Sequence, residues 1–285
     1  MNDFLQALHD LPFVRLSLIV GLLASVAFGM TGAYVVVRRI SYLAGAISHC
    51  VLGGIGAGLY LERVLGWTWC GPMTGAVVAA LAAAIIVGLV SLRAGQREDT
   101  VIGAIWVLGM ATGLLFLQKT PGFVDPMSYL FGDITLVSHT DLWLVGGLDL
   151  LVGGAVWRFF PQFLAICFDE EFARLRGIRV EVYYLLLLCL TALTIVLLVK
   201  ILGILMVIAL LTLPAATANL LARKLWHLMA LSVVLCAVFT CGGLACAYVY
   251  DLYSGPVIIL MAGAVYLLAL LVQKFKPVRL ESSEQ

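Results

Sequence analysis

The sequence predicts an all-α fold: a polytopic membrane bundle of eight or nine transmembrane helices, with one short amphipathic helix on its cytoplasmic face. Three observations predict it. Of 285 residues 63% are apolar and 12% charged, with a mean hydropathy of +1.11, whereas a soluble domain carries about 25% charged residues. Uncharged runs recur at close to the roughly 20 residues that cross a ~30 Å hydrocarbon core. The basic residues also gather in alternate gaps between those runs.

Taken in order, residues 16–37, 64–92, 201–222, 225–250 and 252–273 are plain apolar runs, while 40–61, 101–118, 142–157 and 182–199 are shorter or softer candidates. The gaps leave no room for a soluble unit, so residues 1–285 read as a single transmembrane domain with a short cytoplasmic tail at 274–285. The first run is preceded by Asp3 and Asp10 rather than by the basic stretch of a signal peptide, and reads as a retained span. If the runs on either side of Lys200 form one re-entrant unit, the count falls from nine to eight.

Placing alternate gaps on opposite sides divides the 17 basic residues 13 to 4, with Arg38, Arg39, Arg158, Arg174, Arg223, Lys224 and Lys274 among the 13 and Arg15, Arg63, Lys119 and Lys200 opposite. The richer side is expected to be cytoplasmic, so nine spans put the N-terminus outside and the C-terminus inside. Trp67, Trp69, Trp143, Trp157, Trp226, Tyr248, Tyr250 and Tyr253 fall near span ends, where amphipathic rings favour the headgroup zone.

Many of the 28 glycines lie inside spans, including Gly53, Gly54, Gly56 and Gly58 in the second and Gly103, Gly109 and Gly113 in the fourth. Lipid supplies no hydrophobic drive between helices, so small residues mark close helix contacts. The seven cysteines show no CxxC spacing and read as small apolar packers.

Outside the membrane the most informative stretch is FDEEFARLRGIR, residues 168–179. Asp169, Glu170 and Glu171 suit a helix N-terminus, Arg174 and Arg176 its C-terminal end, and Gly177 its stop. Phe168, Phe172 and Leu175 form an apolar stripe at i, i+4 and i+7. A helix of about 168–177 either rests on headgroups or docks its stripe into a partner's groove.

The pattern DxxxAxxxG at Asp169, Ala173 and Gly177 resembles the coupling-helix segment in permeases of the zinc and manganese family of bacterial ABC importers. VRRISYLAGAISH around His49, YLFGD at 129–133, GILMVIALLTLPAATA at 203–218 and GGLACAYVYDLYSGP at 242–256 match that family in the same order. The resemblance implies a permease whose residues Asp169, Glu170, Phe172, Ala173, Leu175 and Gly177 meet a separate ATPase subunit. It also implies two ATPase copies, an extracytoplasmic metal-binding protein docking on the outer segments at 129–141 and 250–254, and a second permease copy, identical or related. The location implied is the bacterial cytoplasmic membrane. The transported divalent metal would be cargo, with no permanently bound cofactor and ATP on the partner, and no nucleic-acid partner is expected.

His49 lies near mid-membrane in the second span, where an ionisable side chain should face the bundle interior or a wet cavity. Its i−4 and i+4 neighbours, Gly45 and Gly53, predict a face bare above and below the imidazole. Imidazole suits zinc, manganese or iron, and a weak site lets an ion leave; a packing histidine bonded to a neighbouring helix is the alternative. In the family the matching segment reads DxxxH, and the aspartate position is Gly45 here. Either a partner permease supplies the missing carboxylate or the chain has an altered path.

Asp149, within the fifth span, reads either as a second contributor to the path or as an interfacial residue. Asp133 and Asp251 read as turn or capping residues in glycine- and proline-rich outer segments. Pro214 removes a backbone donor inside its span and either forms part of a gate or fixes a bend for packing.

The sequence holds no GxxxxGK[ST] phosphate loop, no HExxH pair and no GxSxG elbow, so an ATPase or intramembrane enzyme is not expected. The expected function is a permease moving zinc, manganese or iron inward by alternating access. The alternatives are a metal-chelate (siderophore or cobalamin-like) importer permease, a proton- or sodium-coupled transporter using His49 and Asp149 as a relay, and a structural scaffold.

Overall fold

The computed structural model describes residues 10–94, 98–122, 126–132, 134 and 137–275. Asp133, Arg97, Lys276 and Arg279 therefore lie outside the described residues, as does most of the tail. Among the described residues there are eleven helices and no strand: α1 (Pro12–Val37), α2 (Ser41–Leu65), α3 (Pro72–Ala94), α4 (Glu98–Lys119), α5 (Pro126–Phe131), α6 (His139–Phe168), α7 (Glu170–Leu175), α8 (Val180–Leu202), α9 (Ile204–Leu221), α10 (Leu225–Val249) and α11 (Ser254–Phe275). Nine of these are long and apolar enough to cross a membrane. Lys200 does not join two half-spans. α8 and α9 each qualify, and they meet at Gly203, whose φ of 79° caps the end of one and the start of the other.

Two boundaries differ from the sequence reading. The run 64–92 begins too early, because α2 continues through Val64 and Leu65 and stops at Gly66, a left-handed cap with φ 70°. Trp67 and Trp69 follow in the connection and stack on each other at 5.5 Å. The run 142–157 is too short, because α6 continues to Phe168. At 30 residues it would be about 45 Å long if straight, more than one bilayer crossing. Its helical dihedrals break at Phe159 (φ −114°, ψ 16°), two residues before Pro161. The apolar count ended at Trp157 because Arg158 follows, but a helix can leave the hydrocarbon zone without unwinding.

A chain this apolar still carries hydroxyls inside its spans, and most of the buried serines and threonines among them are satisfied locally, Ser232 excepted. Ser17, Ser25, Thr31, Ser48, Thr191, Thr194, Thr217 and Thr240 each donate to the carbonyl four residues back, at 2.6–2.9 Å. That is the solution available where no water reaches the backbone.

α2 is the most enclosed of the nine spans. It packs on α4 and α3, while α1 packs on α10, α6 and α9. α1 and α2 barely touch each other although only three residues join them, and α8 lies between the two groups, in contact with α1, α2, α3 and α6. The glycines set the distances on α2. A Cβ at Gly53 would come within 2.8 Å of the Gly109 carbonyl oxygen, and one at Gly56 within 2.6 Å of that of Gly113. Gly103 faces open space and takes no part in this contact.

The ends of the bundle carry separate polar networks. At one end Arg38 pairs with Glu170 at 2.6 Å. At the other, Lys200 pairs with Asp141 at 2.9 Å, and Asp141 also closes a capping box with Ser138 at the start of α6. Asp251 takes a left-handed φ of 53° in the turn between α10 and α11, the turn role expected of it.

Candidate translocation site and docking helix

His49 is buried, 7% exposed, on the face of α2 that meets α4. That face is not bare. The indole of Trp106 on α4 stacks on the imidazole, with centroids 4.8 Å apart and planes inclined by 22°. The same ring occupies the space over Gly45: a Cβ there would lie 2.5 Å from it. The absence of a side chain at position 45 is what lets Trp106 lie against His49. The expected groove is therefore filled within one subunit, by an indole at Gly45 and by α4 backbone at Gly53. Trp106 escaped the sequence reading, yet a signal for it exists: it stands three residues before Gly109, on the helix face whose glycines mark the α2 contact.

The Nδ1 of His49 is buried and has no hydrogen-bond partner among the described residues, so the packing alternative of a histidine bonded to a neighbouring helix finds no support at that atom. Among the described residues, no group of three or more His, Cys, Asp or Glu side chains could hold a metal ion.

Asp149 belongs to a different contact. Its Oδ1 accepts the backbone N–H of Ala27 on α1 at 3.1 Å, while its Oδ2 is buried without a partner among the described residues. α6 packs chiefly on α1 and α8, whereas His49 faces α4. The structure thus assigns Asp149 to the α1–α6 contact and leaves it apart from the histidine's aromatic neighbour.

Pro214 sits within α9, which continues from Ile204 to Leu221 across it. Proline cannot donate to the carbonyl four residues back. The Cys236 thiol on α10 approaches that freed Leu210 oxygen at 4.0 Å, a weak substitute donor.

The docking segment folds as its sequence suggests, with one difference. Asp169 caps α7 by accepting the Phe172 N–H at 2.9 Å. Ala173 is fully buried against the bundle. Gly177, at φ 76°, ends the helix by donating to the Arg174 carbonyl at 2.9 Å, and Ile178 donates to that of Ala173 at 3.0 Å. The three motif residues cap, seat and stop the helix. Phe172 and Leu175 remain exposed, the latter at 87%, with the Arg176 guanidinium 4.6 Å above the Phe172 ring. Phe168 is exposed too but belongs to α6, because Asp169 is extended (φ −153°) and breaks the expected i, i+4, i+7 stripe. Glu170 turns inward to Arg38.

A polytopic helical membrane bundle with an exposed amphipathic helix at one end is the class of protein that the fold and site define. The family described as ABC 3 transport matches residues 10–273 of the chain. A manganese import system permease protein, ScaB, of Streptococcus gordonii is 31% identical over 269 residues, covering 94% of each chain. A probable metal transport system membrane protein of Chlamydia pneumoniae is 40% identical over 252 residues, 88% of this chain and 86% of that one. The solved structure of PsaBC from Streptococcus pneumoniae in complex with Fab superposes with a TM-score of 0.83 at 30% identity, covering 96% of this chain and 98% of that chain. The chain belongs to the ABC 3 transport family.

Proposed function

We propose that this chain is the membrane-spanning permease subunit of an ATP-driven importer for divalent transition-metal ions, manganese first among them. The observation that carries this reading is the likeness, over 94% of both chains, to a protein named as a manganese import permease. The helix α7 supports it: two large apolar side chains left in water on a rigidly capped turn suit a groove on a cytoplasmic partner. The chain itself has no phosphate loop, so hydrolysis falls to a separate ATPase subunit, two copies per complex.

In this reading a metal-loaded extracytoplasmic protein meets the outer surface near the exposed Tyr250 and Tyr253 and releases its ion between two permease copies. His49 offers one neutral imidazole to the passing ion. With no carboxylate at Gly45 and Asp149 held by α1, the remaining ligands come from a second copy or a related permease, or from water. Phe172 and Leu175 form the ATPase contact, and Asp169, Ala173 and Gly177 hold it in place. The chain resides in a bacterial cytoplasmic membrane with its C-terminus inside.

Reconstitution tests this. The chain, co-purified with its ATPase and placed in liposomes with a loaded binding protein, should take up manganese only with hydrolysable ATP. Uptake driven by a proton or sodium gradient without ATP would reject it, and uptake of a chelate in preference to the bare ion would redirect it.

A further inference from the structure

Arg38 closes α1, and its side chain, 14% exposed, reaches three other elements at once. Nη2 pairs with Glu170, the first residue of α7, at 2.6 Å; Nη1 donates to the Ile166 carbonyl near the end of α6 at 2.5 Å; and the guanidinium lies 4.7 Å over the Tyr184 ring of α8. Tyr184 continues the network, its hydroxyl 3.1 Å from that of Ser91 on α3. One turn back, Tyr34 packs edge-on against Phe163 of α6 at 5.4 Å. Position 38 is thus one tie of α7 to the body of the bundle, beside the buried Ala173 and the exposed Arg174–Glu181 pair at 3.9 Å. An arginine that divides its two Nη groups between Glu170 and Ile166 and stacks on Tyr184 holds such a geometry better than a lysine point charge.

The chain beyond Arg38 is stiff. Arg39 is left-handed at φ 59°, a conformation that a residue with a Cβ keeps only where its surroundings fix it. Arg39 donates to Val36 O and Ile40 to Val35 O, both at 3.0 Å, and Leu43 donates to Ile40 O at 2.9 Å, so α2 begins with no slack. His49 stands eight residues after Ser41, about 12 Å along the same helix. This connection also joins the two helix groups, one around α1 and one around α2, which meet besides across α8 and where α9 packs on α2.

We propose that the Arg38–Glu170 pair is the mechanical link by which displacement of α7 reaches the helix carrying His49, making Arg38 a positioning residue for coupling. The proposal rests on the importer reading of α7. Moving α7 moves Glu170 and with it Arg38, and the capped three-residue connection passes that motion to α2 rather than absorbing it in a loop.

The test uses the reconstituted complex of permease, ATPase and binding protein, and reads metal ions imported per ATP hydrolysed. The wild-type complex comes first: if it imports no metal with ATP, the importer reading fails and the link fails with it. Given a coupled wild type, Arg38→Gln and Glu170→Gln should each leave the assembled complex hydrolysing ATP while lowering the import-to-hydrolysis ratio about tenfold. The double variant should be no worse than either single one, because both remove the same interaction. Arg38→Lys should recover part of the ratio. A role confined to seating α7 would lower assembly and hydrolysis with import, leaving the ratio unchanged, and that result overturns the proposal, as do additive effects in the double variant. If Arg38→Gln does not assemble, the ratio of Glu170→Gln alone decides, since it leaves the arginine on Ile166 and Tyr184.

Discussion

A methyl group added at Gly45 would lie 2.5 Å from the Trp106 ring, so an indole and a side chain at position 45 exclude each other. Gly45→Ala is expected to destabilise the protein by about 1–3 kcal/mol through overpacking. The same change should cost much less in a Trp106→Ala background, and thermal unfolding of the four proteins in detergent measures the difference. Equal costs in both backgrounds would mean that the indole does not occupy that space. His49→Ala should leave assembly intact and lower metal uptake by about tenfold or more, the range typical of weakened metal ligation; unchanged uptake would remove His49 from the path. His49 and the empty position before it were legible because an ionisable residue among apolar ones stands out in one dimension. Trp106 was legible only through its spacing from Gly109, and Arg38 was not legible at all. In sequence Arg38 and Arg39 are equivalent charges at a span end, and only the packing separates the partly buried Arg38 from the exposed Arg39.

Among the elements, α7 is the clearest case of a motif whose residues serve geometry rather than contact. Nothing lies within 4 Å of a Cβ at Gly177, so Gly177→Val would act through its left-handed φ of 76° alone, at about 1–2 kcal/mol. Ala173→Leu, at a fully buried position, should push α7 off α6 and α8. Both variants are expected to increase proteolysis between α6 and α8 and to weaken co-purification with the ATPase, Ala173→Leu the more strongly. A protected, fully associated Ala173→Leu protein would show that the seat is not needed. The caps at Asp169 and Gly177 could be read from sequence because they follow local backbone chemistry. The assignment of Phe168 to the stripe could not, because whether Asp169 continues a helix or breaks it depends on how α6 arrives.

At the scale of the whole molecule, length and hydropathy leave eight or nine spans open, and among the described residues nine helices qualify, because Gly203 turns the chain between two separate helices on either side of it. The grouping of α1 apart from α2 could not be foreseen, since neighbours in sequence are expected to be neighbours in space. The nine candidate spans among the described residues, an odd number, place the two ends on opposite sides, and the proposed orientation, drawn from the basic residues, has the C-terminus and α7 in the cytoplasm. Reporter fusions at the two ends should therefore give opposite signals. An importer of this kind requires that an external motor grip α7. The most direct measurement places a photo-crosslinking residue at Leu175 and, as a control, at Tyr253, both strongly exposed, in cells expressing the complete complex. A cross-link from position 175 to the ATPase subunit, absent at position 253, is the predicted result. Labelling of position 175 from the cell exterior, or cross-links to no nucleotide-hydrolysing chain, would contradict it.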